Sequence, residues 1–258
     1  MRSVAIWSVA FGVALSGTRT ADADGLSADQ IAKRTLSYDA FGLESAQIKA
    51  RMILVDSGGA REERAFEATT KKRDGLFESV VRFTAPSQVA GMAFLLIQHA
   101  DAADEQYVYL PRLKSTRRIG TSNEREGSFM GSDFTYVDLE RRDIRDASYR
   151  RLPDETIGQD PCFHLVATPN GPNPYSRIEV WIRQSDFIPL RMRMFGKDGN
   201  PEKTTFARRI RTVDDRPVIV ESHTENERTH HQTDVVIDDV DVKAATPDSA
   251  FLPAALAH

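Results

Sequence analysis

Ser132 stands next to Asp133, and six histidines are spread along the chain. A serine, a carboxylate and an imidazole brought together by folding can activate a hydroxyl for acyl transfer. The hydrolase signature that would mark such a serine is G-x-S-x-G at a strand-to-helix turn. Gly127-Ser128 and Gly131-Ser132 both miss that spacing. Ser132 reads instead as the N-cap of a short helix over Asp133–Leu139, with Asp133 in its first turn complementing the helix dipole. His223, His230 and His231 raise the question of a metal, yet no carboxylate or cysteine completes a familiar ligand spacing. They fall in a polar stretch that reads as a solvated hairpin. Asp214-Asp215 and Asp238-Asp239 read as turn or edge residues, and the phosphate- and dinucleotide-binding glycine patterns are absent. No cofactor is implied, and a chemical step is not expected.

A different kind of site is suggested by Gly127-Ser128-Phe129-Met130-Gly131-Ser132-Asp133-Phe134 with Tyr136. Large apolar side chains set among glycines suit neither a plain strand nor a plain helix. Loops of this kind more often cover or edge a binding site than merely connect elements. The alternative is a loop tucked onto the core by its aromatics. Just before it, Arg112, Lys114, Arg117 and Arg118 could meet anionic headgroups or an acidic partner, or could keep a solvated sheet edge from pairing. If the strand ending at Leu110 continues past Pro111, Lys114 and Arg118 share one face and Arg117 takes the other.

The elements that must hold these residues are mostly strands. Ser27-Ala28-Asp29-Gln30 has the form of a capping box, which opens a helix over Ser27–Tyr38 with Gly42 just past its end. Thereafter the period becomes two. Strands are expected at Arg51–Val55, Phe66–Lys72, Val80–Phe83, Met92–Ile97, Tyr107–Leu110 and Cys162–Val166. Others follow at Arg177–Arg183, Leu190–Met194, Thr204–Ile210, Val218–Glu225 and Thr233–Ile237. Asp56-Ser57-Gly58-Gly59 and Gly196-Lys197-Asp198-Gly199-Asn200 turn the chain. Ile178, Val180 and Ile182 share one face of their strand, while Arg177, Glu179 and Arg183 share the other. One apolar and one charged face, strand after strand, describes an antiparallel sheet wetted on one side.

About ten such strands cannot stay flat, because twist accumulates. The fold class is therefore mainly β with a few helices (α+β), a strongly curved antiparallel sheet. So little helix makes a partly covered apolar face, a setting for an apolar ligand, the expectation, with a closed and fully packed core as the alternative.

At the N-terminus Arg2, an apolar run from Val4 to Leu15 and Ala21-Asp22-Ala23 have the layout of a cleavable secretory signal peptide. The expectation is an exported, soluble protein with a leader over 1–23, a mature chain from Asp24, and one domain over 24–258. Of 34 basic and 38 acidic residues the leader takes two and one, leaving 32 and 37. That balance argues against nucleic acid as a partner. Cys162 is the only cysteine, which rules out an intramolecular disulfide and points to a buried thiol.

Tyr109-Leu110-Pro111, Arg117-Arg118-Ile119, Ser128 through Tyr136 and Asp138-Leu139 together resemble the signature of the LolA-like outer-membrane lipoprotein-sorting proteins. The similarity is to the uncharacterised branch associated with large membrane transporters. Arg82-Phe83 with Pro86, Gly91 through Leu95, Glu179 through Ile182 with Pro189-Leu190, and Phe251-Leu252-Pro253 extend it along nearly the whole mature chain. The resemblance implies a half-open barrel with short helices over its concave face, holding acyl chains of a lipid or lipoprotein. No individual functional residue is carried over from the well-studied carrier. On this reading the cavity wall comprises Met52, Leu54, Val81, Phe83, Ile178, Val180, Ile182, Met192 and Met194, and Phe129, Met130, Phe134 and Tyr136 form the mouth or lid. The protein would act as a monomer, with an inner-membrane transporter of the large exporter type as a possible partner. The alternatives are a non-enzymatic accessory subunit that docks on such a transporter, and a lipid-cleaving hydrolase.

Overall fold

The computed structural model describes residues 25–37 and 43–257. The expected leader, the Asp24 start and the expected helix end at Tyr38 lie outside these residues. Helix α1 spans Ala28–Thr35 and opens with the expected box: Ser27 Oγ accepts from the Gln30 amide at 3.2 Å while Gln30 Oε1 accepts from the Ser27 amide at 2.9 Å. Its buried face carries Ile31, Ala32 and Thr35.

The first six strands are β1 (Ala46–Val55), β2 (Arg61–Arg73), β3 (Leu76–Ala85), β4 (Ala93–Ile97), β5 (Glu105–Leu110) and β6 (Ser115–Arg118). Three short helices follow, α2 (Ser122–Arg125), α3 (Tyr136–Glu140) and α4 (Arg142–Arg145). The remaining strands are β7 (Ala147–Ile157), β8 (Asp160–Pro169), β9 (Tyr175–Arg183), β10 (Pro189–Gly196), β11 (Pro201–Val213), β12 (Arg216–Asn226) and β13 (Gln232–Asp241). All thirteen form one curved antiparallel sheet in the order β6-β5-β4-β3-β2-β1-β13-β12-β11-β10-β9-β8-β7. Two meanders are thus sewn together along a single seam, where Met52 of β1 faces Val235 of β13.

Turn chemistry sets the hairpins. Asp56 Oδ1 accepts from the amides of Gly58 and Ala60, both at 2.9 Å, and Gly59 takes φ +85°. Asp214 and Asp215 both adopt positive φ in the β11–β12 turn, as a tight two-residue hairpin loop requires. Asp238, expected in a turn or at an edge, instead sits on a central strand, where Arg51 Nε binds it at 2.9 Å and holds its carboxyl below the usual range.

Two strands were not foreseen. Pro111–Leu113 forms a 3-10 turn and Lys114 goes left-handed, so the chain reverses instead of continuing past Pro111. Ser115–Arg118 then pairs back onto β5 with all four residues exposed, and the expected continuous face of Lys114 and Arg118 does not exist. β7 escaped notice because it is an edge strand broken by a bulge between Leu152 and Glu155.

The sheet does not close, since β6 and β7 are its opposite edges. They are nevertheless consecutive in the chain, so the connection between them must cross the open side of the curve. That connection is the glycine- and aromatic-rich segment. On the other face, Phe251 and Leu256 cover Ala93 and Leu95, and Arg82 ties the tail down through the Leu256 carbonyl at 3.0 Å. Cys162 is buried in another cluster, with Trp181, Ile188 and Leu190, and burial pushes its thiol upward.

Candidate apolar cavity and its cover

Beneath the crossing segment lies a cavity of about 270 Å³. Ile48 and Met52 of β1, Phe66 and Ala68 of β2, Val81 of β3, and Phe94 and Leu96 of β4 form one side. Met192 and Met194 of β10, Ala207 of β11 and Val235 of β13 form the other, and Phe129, Phe134 and Leu139 close it from above. The space exists because small side chains meet on the concave face: Ala207 is opposite Ser222, Thr70 opposite Ser79, and Ala68 opposite Val81. Thr70 and Ser79 satisfy each other through a hydroxyl bond of 3.2 Å, so the wall presents few unmet polar groups.

Of the wall and lid residues read from the sequence, Met52, Val81, Phe129, Phe134, Met192 and Met194 line this cavity. Leu54 and Phe83 are buried on the same side in the adjoining core and do not reach the void. Ile178, Val180 and Ile182 lie in a separate cluster beneath Ile31 and Ala32 of α1 and are fully packed. Tyr136 packs at a tilt against Phe94 at 5.7 Å and edge-on against Phe129 at 5.6 Å, and its burial raises the phenol above its ordinary range. Met130 adopts φ +52°, and its carbonyl accepts from the Arg64 guanidinium, which turns Phe129 inward. Phe129 is 3% exposed and packs edge-on against Phe94 at 5.1 Å.

The cover is pinned by buried polar groups. Helix α3 begins at Thr135, not at Ser132, because Thr135 and Asp138 make the capping box. Asp138 also accepts from Lys203 Nζ at 2.5 Å and from the Tyr175 hydroxyl at 2.7 Å, while Lys203 donates to the Asp133 carbonyl at 3.0 Å. Lys203 is 2% exposed. On the opposite wing Gln106 Nε2 donates to the Tyr136 carbonyl at 3.0 Å and Gln98 Nε2 donates to the Glu140 carbonyl at 3.1 Å, while Arg125 of α2 pairs with Glu140 at 3.0 Å within the crossing segment. The crossing segment is thereby fastened to both meanders.

Those fastenings occupy the groups that suggested acyl transfer. Ser132 Oγ donates to the Phe129 carbonyl at 2.7 Å and accepts from the Phe134 amide at 3.2 Å, shaping the loop. Asp133 is held by Thr233 Oγ1 at 2.7 Å and by His231 Nδ1 at 2.8 Å. His223, buried in β12, meets Asp234 at 2.7 Å. The expected solvated histidine turn therefore holds for His230 but not for His223 or His231, which have carboxylate partners. Among the described residues no group of three or more metal-ligating side chains converges.

Sequence reasoning missed Ala68, Ala207, Ser222, Gln106 and Lys203. A signal was available for the polar pair. Gln106 is in phase with buried Val108, and Lys203 is in phase with Thr205 and Ala207, so each polar side chain falls on the inward face of its strand.

A family model described as an uncharacterized protein matches residues 75–258. No curated protein matches the sequence. Among solved structures, a domain named for outer-membrane lipoprotein sorting from Vibrio parahaemolyticus is 25% identical, with a TM-score of 0.82 over 89% of this chain and 97% of that one. A DUF1329 family protein from Desulfovibrio piger is also 25% identical, with a TM-score of 0.80 over 88% and 96%. A LolA superfamily protein from Nitrosomonas europaea shares the fold at 17% identity, with a TM-score of 0.69 over 88% and 98%.

Proposed function

The chain belongs to that uncharacterized family and has the LolA-like fold, and from this premise we propose that it is an exported periplasmic carrier without a chemical step. It takes an acyl chain of a lipid or lipoprotein into the concave cavity, for outer-membrane lipoprotein sorting or lipid transfer. The observation that carries this reading is the apolar cavity of about 270 Å³ between the sheet and the crossing segment. Each methylene moved from water into it would contribute about 0.8 kcal/mol. Met52, Met192 and Met194 give the wall the adaptability that a flexible chain needs. The void, at about 270 Å³, is just below the roughly 300–1,000 Å³ typical of small-molecule sites. It suits a single chain, and a larger cargo would have to displace Phe129 and Phe134.

The test is binding of an environment-sensitive fatty-acid probe to the mature protein and to Ala68→Phe, which fills the void. The proposal expects saturable binding that the variant loses while keeping a native circular dichroism spectrum. Unchanged probe binding by the folded variant would place any ligand elsewhere. The leader over 1–23 is part of the same proposal, and N-terminal sequencing of the periplasmic protein should begin at Asp24. The partner in this reading is an inner-membrane transporter of the large exporter type, to be sought by crosslinking in intact cells.

A further inference from the structure

Phe77, Gln98 and Arg141 line both the apolar cavity and a second cavity of about 510 Å³. The two spaces share a wall, and the second is bordered by charged side chains as well as by Leu36, Leu76 and Tyr149. Lys33 at the end of α1, Lys72 of β2, and Arg141 and Arg145 of the crossing segment all border it, against a single carboxylate, Asp29, among its lining residues. In a chain of net charge −4, four cations around one opening run against the overall sign. Lys72 is answered by Glu44 at 3.2 Å and the Ser37 carbonyl at 2.6 Å, and Arg145 by Asp104 at 2.6 Å. Arg145 Nη1 nevertheless stays buried with no hydrogen-bond acceptor among the described residues. Lys33 is exposed at the rim.

We infer that this cationic vestibule receives the anionic head, a carboxylate or a phosphate, of an amphiphile whose single chain occupies the apolar cavity. The inference rests on the carrier reading and adds ligand class and polarity to it. An apolar wall holds a methylene chain equally well in either direction. Charge at one end only gives the chain a direction, and it favours an anionic amphiphile over a neutral one of the same length. The left-handed turn at Arg141, which ends α3, puts this cation at the boundary between the two spaces.

The test is isothermal titration of the mature protein with dodecanoate, dodecyl phosphate, dodecanol and inorganic phosphate at one salt concentration. The expected result is that one or both anionic amphiphiles bind at least about tenfold more tightly than dodecanol, a difference of roughly 1.4 kcal/mol. The tighter of the two identifies the head. Lys33→Glu, at an exposed position outside the apolar cavity, should shrink that ratio several-fold and leave dodecanol binding unchanged, and Arg141→Gln should shrink the ratio as well. Equal binding of dodecanoate, dodecyl phosphate and dodecanol would overturn the inference and leave the carrier reading intact. Failure of all three chain compounds to bind would overturn both. Inorganic phosphate binding as tightly as dodecyl phosphate would assign the vestibule to a free anion and also overturn it.

Discussion

The concave face has a hollow region and a filled one, although both alternate apolar and polar residues in the same way. Over β7–β9 the inward positions hold Phe163, Leu165, Ile178, Val180 and Ile182, and the amphipathic helix α1 lays Ile31 and Ala32 onto them. Over β1–β4 and β10–β13 they include Ala68, Ser79, Thr205, Ala207 and Ser222, and the cover is an irregular segment held by ion pairs and amide bonds. Side-chain size decides whether a face is core or cavity. The manner of fastening then decides how its cover can move. Apolar contact holds the buried face of α1, with hydrogen bonds at its flanks, from Arg151 to the Leu26 carbonyl and from Lys72 to the Ser37 carbonyl, whereas the crossing segment has discrete attachments along its length.

The largest effect should come from breaking one attachment. Lys203→Met leaves the Asp138 carboxylate buried without its cation and should lower stability by about 3–5 kcal/mol in urea unfolding, with Asp138→Asn in the same chain restoring much of it. A loss well under 1 kcal/mol would mean the cover is held by its aromatics alone.

Paired substitutions in the two regions should separate packing from binding. Ile178→Ala in the filled region is expected to cost about 2–5 kcal/mol and leave fatty-acid probe affinity unchanged. Ala68→Phe in the hollow region should abolish probe binding at a stability cost below about 1.5 kcal/mol, since it occupies existing space. If both variants behave alike, the distinction between the regions is lost.

A smaller effect is expected at α1. Ser27→Ala removes the capping box and should cost about 1 kcal/mol. In hydrogen exchange, amides of 31–36 should exchange faster than those of 136–140 in the wild type, and the variant should widen the gap. Faster exchange in 136–140 would make the crossing segment the looser cover.

Much of this architecture was legible in residue order. Period-two alternation, together with short apolar and aromatic runs such as Met92–Ile97 and Tyr107–Leu110, located eleven of the strands, and Ser27-x-x-Gln30 located α1, because these signals are local. β6 was hidden because four consecutive exposed residues show no alternation, and β7 because its bulge breaks the period. The Asp133–Leu139 helix was placed three residues early because Ser132, a good capping residue, is spent on the loop backbone while Thr135 caps the helix. The cavity itself was legible only in part. Methionines and aromatics drew notice, yet the alanines and serines that leave the space do not stand out in a sequence. The contacts of Lys203 with Asp138 and of Asp133 with His231 span 65 and 98 residues, so no local pattern encodes them.

Native mass spectrometry of the mature protein, released gently from the periplasm and never exposed to detergent, tests the central claim most directly. The account predicts a population carrying one bound amphiphile of a single acyl chain, absent from Ala68→Phe prepared in parallel. Wild-type protein that is free of ligand, and that stays so after incubation with dodecanoate, would contradict it.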